Sequence, residues 1–246
     1  MNSSFSYGEL RGLLQRALDL DWDFVSFKDF YNGTRKKRIL LLRHDLDQDL
    51  EQALRIAEIE HEMGISATYF FYLRSNMYNL LSSPNLSRAR KIIELGHYAG
   101  LHFDETAYPT KGNGLDAHIN REASILSSEL GAEVTFVSFH QPSEALVQGN
   151  LYVETPHTYR KDLFHEVVYR SDSSMDWRHG IPYDILDNPE NRAFQLLIHP
   201  EAWAEEGGLT KERRWDLVFK THLDGLEAHL LTTERSYIQK RVWIPK

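Results

Sequence analysis

The chain has 246 residues, 41% hydrophobic and 26% charged, with a formal net charge of −8. That balance is of an ordinary globular protein, long enough for one α/β barrel, and it argues against a broad nucleic-acid surface, because such surfaces are basic. Cysteine is absent, so disulfides and thiolate metal sites are excluded, and any metal must be held by carboxylates and the 12 histidines.

The first residues, MNSSFSYGELRGLL, lack a basic segment followed by an apolar stretch, so no secretory signal is expected and the default location is cytoplasmic. Unbroken apolar runs fall far short of the roughly 18–20 residues that span a bilayer. Leu10, Leu13, Leu14, Ala17 and Leu18 recur at helical spacing and predict a helix over 7–20, packed on the outside of the domain. The basic run Arg35-Lys36-Lys37-Arg38 reads as a solvated lead-in to the apolar stretch that follows it. Ile39–His44 predicts a buried strand, and residues 50–63 a helix stopped by Gly64. ATYFFYL (67–73) predicts a second strand, residues 86–95 a helix before Gly96, and YAGLHF (98–103) a third strand. A helix over 116–130 ends at Gly131, and VTFVSFH (134–140) predicts a fourth strand. EVVYRSD (166–172) and FQLLIHP (194–200) predict the fifth and sixth, and residues 211–232 a long C-terminal helix.

Strands alternating with helices indicate βα units and a parallel sheet. With no linker, repeat or low-complexity segment, the whole of 1–246 reads as a single domain with its terminal helices as additions. The expected fold class is α/β, a single distorted, TIM-like (β/α) barrel of about seven strands.

The apolar strands end in chemistry. ILLLRHDLDQDL (39–50) runs into Asp45 and Asp47; the third strand ends in His102 and Asp104, the fourth in His140, the fifth in Asp172 and the sixth in His199. In parallel α/β folds the active site forms at the carboxyl ends of the strands, so these residues are expected on one rim. Side chains alternate along a strand, which puts Arg43, Asp45 and Asp47 on one face. Two neighbouring carboxylates repel; a cation on one leaves the other as a base, held ionised by Arg43. Asp49 stands directly before a helix and reads as its N-cap. His61, His118 and His229 read as surface or hydrogen-bonded histidines, and Trp177 and Trp203 as core residues, with a sugar-stacking wall as their alternative role.

In this order, LRHDLD, GHYAGLHFD, SFHQP, SDSSMDW and LLIHP resemble the five motifs of the polysaccharide deacetylases (carbohydrate esterase family 4, the NodB-like domain), over about residues 38–203. The resemblance implies a distorted barrel that removes acetyl groups from N-acetylated sugars with one divalent metal. It implies Asp45 as base, Asp47 and His102 as metal ligands, and His199 as general acid. Four residues beyond His102, Thr106 stands where the family has a second ligand His, and His140 stands where the third motif has an Arg. The fourth motif carries one extra residue, which leaves Asp172 and Asp176 both matched to its Asp. The two departures compensate if His140 reaches the metal: the set becomes Asp47, His102 and His140 around zinc, with Arg43 steadying the base. His44 and Asp104 are further candidate ligands. The expected substrate is a small-molecule or lipid-linked N-acylated sugar in cell-surface polysaccharide biosynthesis, with no nucleic acid, no membrane span and no oligomeric state fixed. The rival readings are a hydrolase of a non-sugar C–N bond and a metal-free carbohydrate-binding or scaffold domain.

Overall fold

The apolar run that begins at Ile39 is central in the sheet. A computed structural model describes residues 3–34, 36–108 and 114–234. Its strands are β1 (Asp23–Phe24), β2 (Ile39–Leu46), β3 (Thr68–Phe71), β4 (Tyr98–Phe103), β5 (Val137–Phe139), β6 (Val168–Ser171) and β7 (Ala193–Ile198). They pair in parallel in the order β5-β4-β3-β2-β7-β6. The two-residue β1 lies beside the first residues of β2, Asp23 opposite Ile39, and β3 takes over that edge from Arg43 onward. This is the expected α/β architecture, a curled, parallel, half-barrel sheet with helices. Among the described residues no ladder joins its end strands, β5 and β6.

Helices α1 (Tyr7–Asp19), α3 (Leu50–Glu62), α4 (Ser83–Glu94) and α5 (Leu115–Leu130) follow the predicted periodicities. Asp49 caps α3 by accepting from the Glu51 N–H, and Gly131 ends α5 in the left-handed conformation at φ 66°. The helix expected on the outside contributes Leu10, Leu13, Leu14 and Ala17 to the main core. One-turn helices α2 (Phe27–Tyr31), α6 (Glu144–Val147), α7 (Lys161–Phe164) and α8 (Tyr183–Asp187) were not predicted, since a single turn has no period to read. The described residues up to Gly208 form one compact unit; those from Leu209 on, with α9 (Lys211–Thr233), form another.

All eight residues of β2 are buried, and its two faces carry different cargo. Leu40, Leu42 and Leu46 enter the main core, whereas Ile39 and Leu41 pack with Phe27, Phe70, Phe136 and Leu163 in a separate cluster. Alternation puts Arg43 and Asp45 on the face of this second cluster, which seals the site from below. The Arg43 guanidinium lies 5.5 Å from the Phe70 ring and 5.3 Å from the Tyr159 ring. Gly100 of β4 makes room for that floor, because a Cβ there would meet Phe70 ring carbons at 2.4 and 2.5 Å.

The basic run is only partly solvated. Lys36 and Lys37 are exposed, but Arg38 is buried, donates to the carbonyls of Leu20, Leu186 and Asn188, and lies over the Trp22 ring at 4.1 Å. A guanidinium can stay buried where its donors meet carbonyls and its face meets an indole. Arg35 lies outside the described residues.

Candidate active site

Each strand from β2 to β7 hands over to a functional-looking residue at its carboxyl end: Asp47, Tyr72, Asp104, His140, Asp172 and His199. The register explains why they meet. Leu46 pairs with Phe71, Phe71 with Leu101, and His102 with Ser138, so Asp47, His102 and β5 stand at one level of the sheet. His44 pairs with Ile198, which brings His199 beside Asp45.

The first group is Asp47, His102 and His140. Asp47 Oδ1 lies 2.9 Å from His102 Nε2 and 3.1 Å from His140 Nδ1, and the two ring nitrogens are 3.3 Å apart. Bonds of about 2.0–2.1 Å at tetrahedral angles separate ligand atoms by about 3.3–3.4 Å. The three atoms thus form a slightly contracted face of such a tetrahedron, and its fourth corner remains for water or substrate. His102 holds its other nitrogen 2.6 Å from Ser138 Oγ, the outer partner that orients a ligating imidazole. His140 is set by its N–H bond to Phe103 O, which continues the β4–β5 ladder, and by Tyr72, whose ring packs on it at 4.6 Å. Gln141 then turns the chain away at φ 45°. Burial resists charge on Asp47, but His102 and His140 outweigh it and hold the carboxyl well below its ordinary value. Burial likewise pulls His140 down, and Asp47 raises it above the ordinary histidine value.

The second group is Arg43 and Asp45, both essentially without solvent exposure. Arg43 Nε donates to Asp45 Oδ1 at 2.8 Å and Nη2 to Oδ2 at 2.7 Å, a bidentate pair. Burial pushes the Asp45 carboxyl up, yet Arg43 more than reverses this and holds it below its usual value. Gln195 Oε1 accepts from Arg43 Nη1 at 3.4 Å.

The third group is His199 and Asp172. His199 Nδ1 lies 2.7 Å from Asp172 Oδ1, and the His199 N–H reaches both carboxylate oxygens at 3.0 and 3.1 Å. The Trp203 indole N–H donates to Oδ2 at 2.8 Å. Asp172 therefore takes the place beside His199, while Asp176 is exposed. Burial lowers His199, but the Asp172 hydrogen bond and charge raise it to about 10. With Nδ1 bonded to Asp172, Nε2 is the working end of the ring. Nearby, burial and then Asp47 push the Glu201 carboxyl up to about 8.

Two candidate ligands are placed elsewhere. His44 faces away from the site, with Nε2 2.7 Å from Glu60 Oε1 and its ring stacked on Tyr69. Asp104 is occupied by the Thr106 N–H, the Thr106 hydroxyl and the Tyr72 hydroxyl. Trp177 and Trp203 are buried and offer no open ring face to a sugar. Trp203 does bear on the site through Asp172. Ser138 and Tyr72 were not singled out from sequence; their only signal was position, within two residues of His140 and at the end of the second strand. Trp203 was read as a core residue or a sugar-stacking wall, and its hydrogen bond to Asp172 was not foreseen.

No family model matches the chain, and no curated relative matches it. Similar solved structures include a family 4 carbohydrate esterase from Bacillus anthracis, 15% identical, covering 88% of this chain and 86% of that one at a TM-score of 0.43. A Streptococcus pyogenes deacetylase in complex with acetate is 14% identical, covering 78% of this chain and 82% of that one at a TM-score of 0.46. A CE4 family pseudoenzyme from Bacillus anthracis is 14% identical at a TM-score of 0.41, covering 78% of this chain; the chain spans 62% of that structure, and 64% of a mutant with restored activity.

Proposed function

We propose that this protein is a metal-dependent amide hydrolase that removes an acetyl or related N-acyl group from an N-acylated sugar. One observation carries the proposal: two imidazoles and a carboxylate converge within ligand distance, between an arginine-held carboxylate and a carboxylate-held histidine. Asp47, His102 and His140 would hold a divalent cation, zinc by the donor types. When bound, such a cation polarises the amide carbonyl and makes water acidic enough to attack near neutral pH.

The remaining steps belong to the chain. Asp45, kept ionised by Arg43 in a buried setting, takes the proton of the attacking water. His199 delivers a proton from Nε2 to the departing nitrogen, which an amide requires because an amine anion is a poor leaving group. Asp172 holds that ring in one tautomer and favours its charged form, as the buried carboxylate does for histidine in hydrolytic triads. The proposed base lies in β2 and the proposed acid directly follows β7, the strand paired in parallel with it.

The sugar is the substrate class that the five sequence motifs suggest, and a small-molecule or lipid-linked sugar of cell-surface glycan assembly is the form we favour. No described helix is long and apolar enough to cross a membrane. Acetate release from N-acetylglucosamine oligomers, UDP-N-acetylglucosamine and a simple N-acetyl amine, with and without added zinc, tests the proposal. Zinc-dependent release from a sugar supports it. Release from the simple amine alone favours the non-sugar hydrolase, and zinc uptake without any release favours a binding domain.

A further inference from the structure

The β4–β5 register brings one more polar side chain against the site. Ser138 is fully buried in β5, directly opposite His102. Its Oγ lies 2.6 Å from His102 Nδ1 and 3.1 Å from Asp45 Oδ1. We infer that the Ser138 hydroxyl is a positioning residue shared by the proposed metal site and the proposed base, an inference that rests on the function proposed above.

The hydrogen inventory drives the assignment. A hydroxyl has one hydrogen to donate and lone pairs to accept with. An imidazole that gives its Nε2 lone pair to a cation carries its proton on Nδ1. In His102 that N–H points at Ser138 Oγ, which must accept it. The hydroxyl hydrogen is then left for Asp45 Oδ1, and the order of donation runs from His102 to Ser138 to Asp45. Asp45 Oδ1 already accepts from Arg43 Nε, so Ser138 completes that oxygen, while Oδ2 accepts from Arg43 Nη2 alone.

The hydroxyl also keeps two groups apart. His102 Nδ1 lies 3.6 Å from Asp45 Oδ2, just beyond hydrogen-bond range. With Ser138 between them, the ring faces Asp47 and the carboxylate faces Arg43. Without it, the ring N–H loses its acceptor and is drawn onto the base. One deletion then damages two functions on different strands, metal retention through His102 and proton abstraction through Asp45.

The test uses the full chain with Ser138→Ala and Ser138→Thr, a zinc titration in competition with a chromophoric chelator, and hydrolysis of p-nitrophenyl acetate. That ester has a good leaving group and does not need the acid, so it reads the base and the metal alone. Alanine is expected to weaken zinc binding by about 10–100-fold. At saturating zinc it still lowers kcat by about 10-fold, with KM within about 2-fold, as a misoriented base does. Threonine keeps the hydroxyl and restores both; if its methyl group prevents folding, as judged by circular dichroism, the alanine variant decides alone. Wild-type zinc affinity in Ser138→Ala, full recovery of kcat at saturating zinc, or a folded Ser138→Thr as impaired as alanine would each overturn the inference. A wild-type chain that takes up no zinc is a different result, which overturns the proposed function itself.

Discussion

Removing the Arg43 side chain with Arg43→Met is expected to cost more stability than any other single change at the site, and to cost much less when Asp45 is neutralised as well. Arg43 and Asp45 are joined by two charge-assisted hydrogen bonds of 2.8 and 2.7 Å, with side-chain exposures of 0% and 3%. Such bonds contribute about 1.5–3 kcal/mol each, and breaking a buried pair by deleting one partner costs about 3–5 kcal/mol, because the other charge is stranded. For a folded unit of about this size, that lowers Tm by about 6–20 °C. Asp45→Asn leaves Arg43 a neutral partner, and the double variant Arg43→Met/Asp45→Asn strands no charge. The coupling in the double-mutant cycle is expected at about 2–4 kcal/mol, measured by urea unfolding of the metal-free protein. Arg43→Met alone also lets the buried Asp45 protonate, so turnover falls by about 10²–10⁴ at neutral pH. Single-variant costs that simply add in the double variant would refute the claim that Arg43 holds a buried carboxylate ionised.

Asp172→Asn removes the group that raises His199 to about 10, so the basic limb of the pH–rate profile moves to lower pH. A bound cation lowers His199 in both proteins and leaves the direction unchanged. The sign for stability is fixed too: His199 is raised in the fold, so its contribution is full below about 6.5 and is lost as pH rises through about 10. In Asp172→Asn, Tm measured across that window should no longer show the loss. His140→Ala is expected to weaken zinc binding by at least about 10-fold, because one of three protein ligands is gone; unchanged affinity in the same titration would remove His140 from the site. Gly100→Ala puts a Cβ 2.4 Å from the Phe70 ring, so the floor must shift, at a cost of about 1–3 kcal/mol in the same urea experiment.

What was legible in the sequence was whatever period and position carry. Apolar runs gave the six longer strands, and their carboxyl ends gave Asp45, Asp47, His102, His140, Asp172 and His199 before any coordinate. Strand alternation put Arg43 with Asp45 and Asp47, but His44 was read as a further candidate ligand, and the fold turns it to Glu60 and Tyr69 instead. Which Asp serves His199 was not legible, because the extra residue in SDSSMDW shifts the pattern by one; the fold settles it through the His199 N–H, which only Asp172 reaches. Ser138 was hidden because a serine inside an apolar strand looks like any small core residue until its cross-strand partner is known. Tyr72 and Trp203 were hidden for a related reason: an aromatic residue after a strand reads as packing, and its hydroxyl or indole hydrogen has meaning only beside Asp104 or Asp172. Arg38 shows the opposite failure, where a basic run suggested water and the guanidinium found three carbonyls.

The central claim is that Asp47 and Asp45, two residues apart, divide the work of holding a cation and moving a proton. Zinc content of purified wild type, Asp47→Ala and Asp45→Asn, measured by mass spectrometry alongside acetate release, tests it most directly. The account predicts about one zinc per chain and turnover in wild type, neither in Asp47→Ala, and retained zinc without turnover in Asp45→Asn. Zinc lost equally from both variants, or absent from all three after loading, would contradict it.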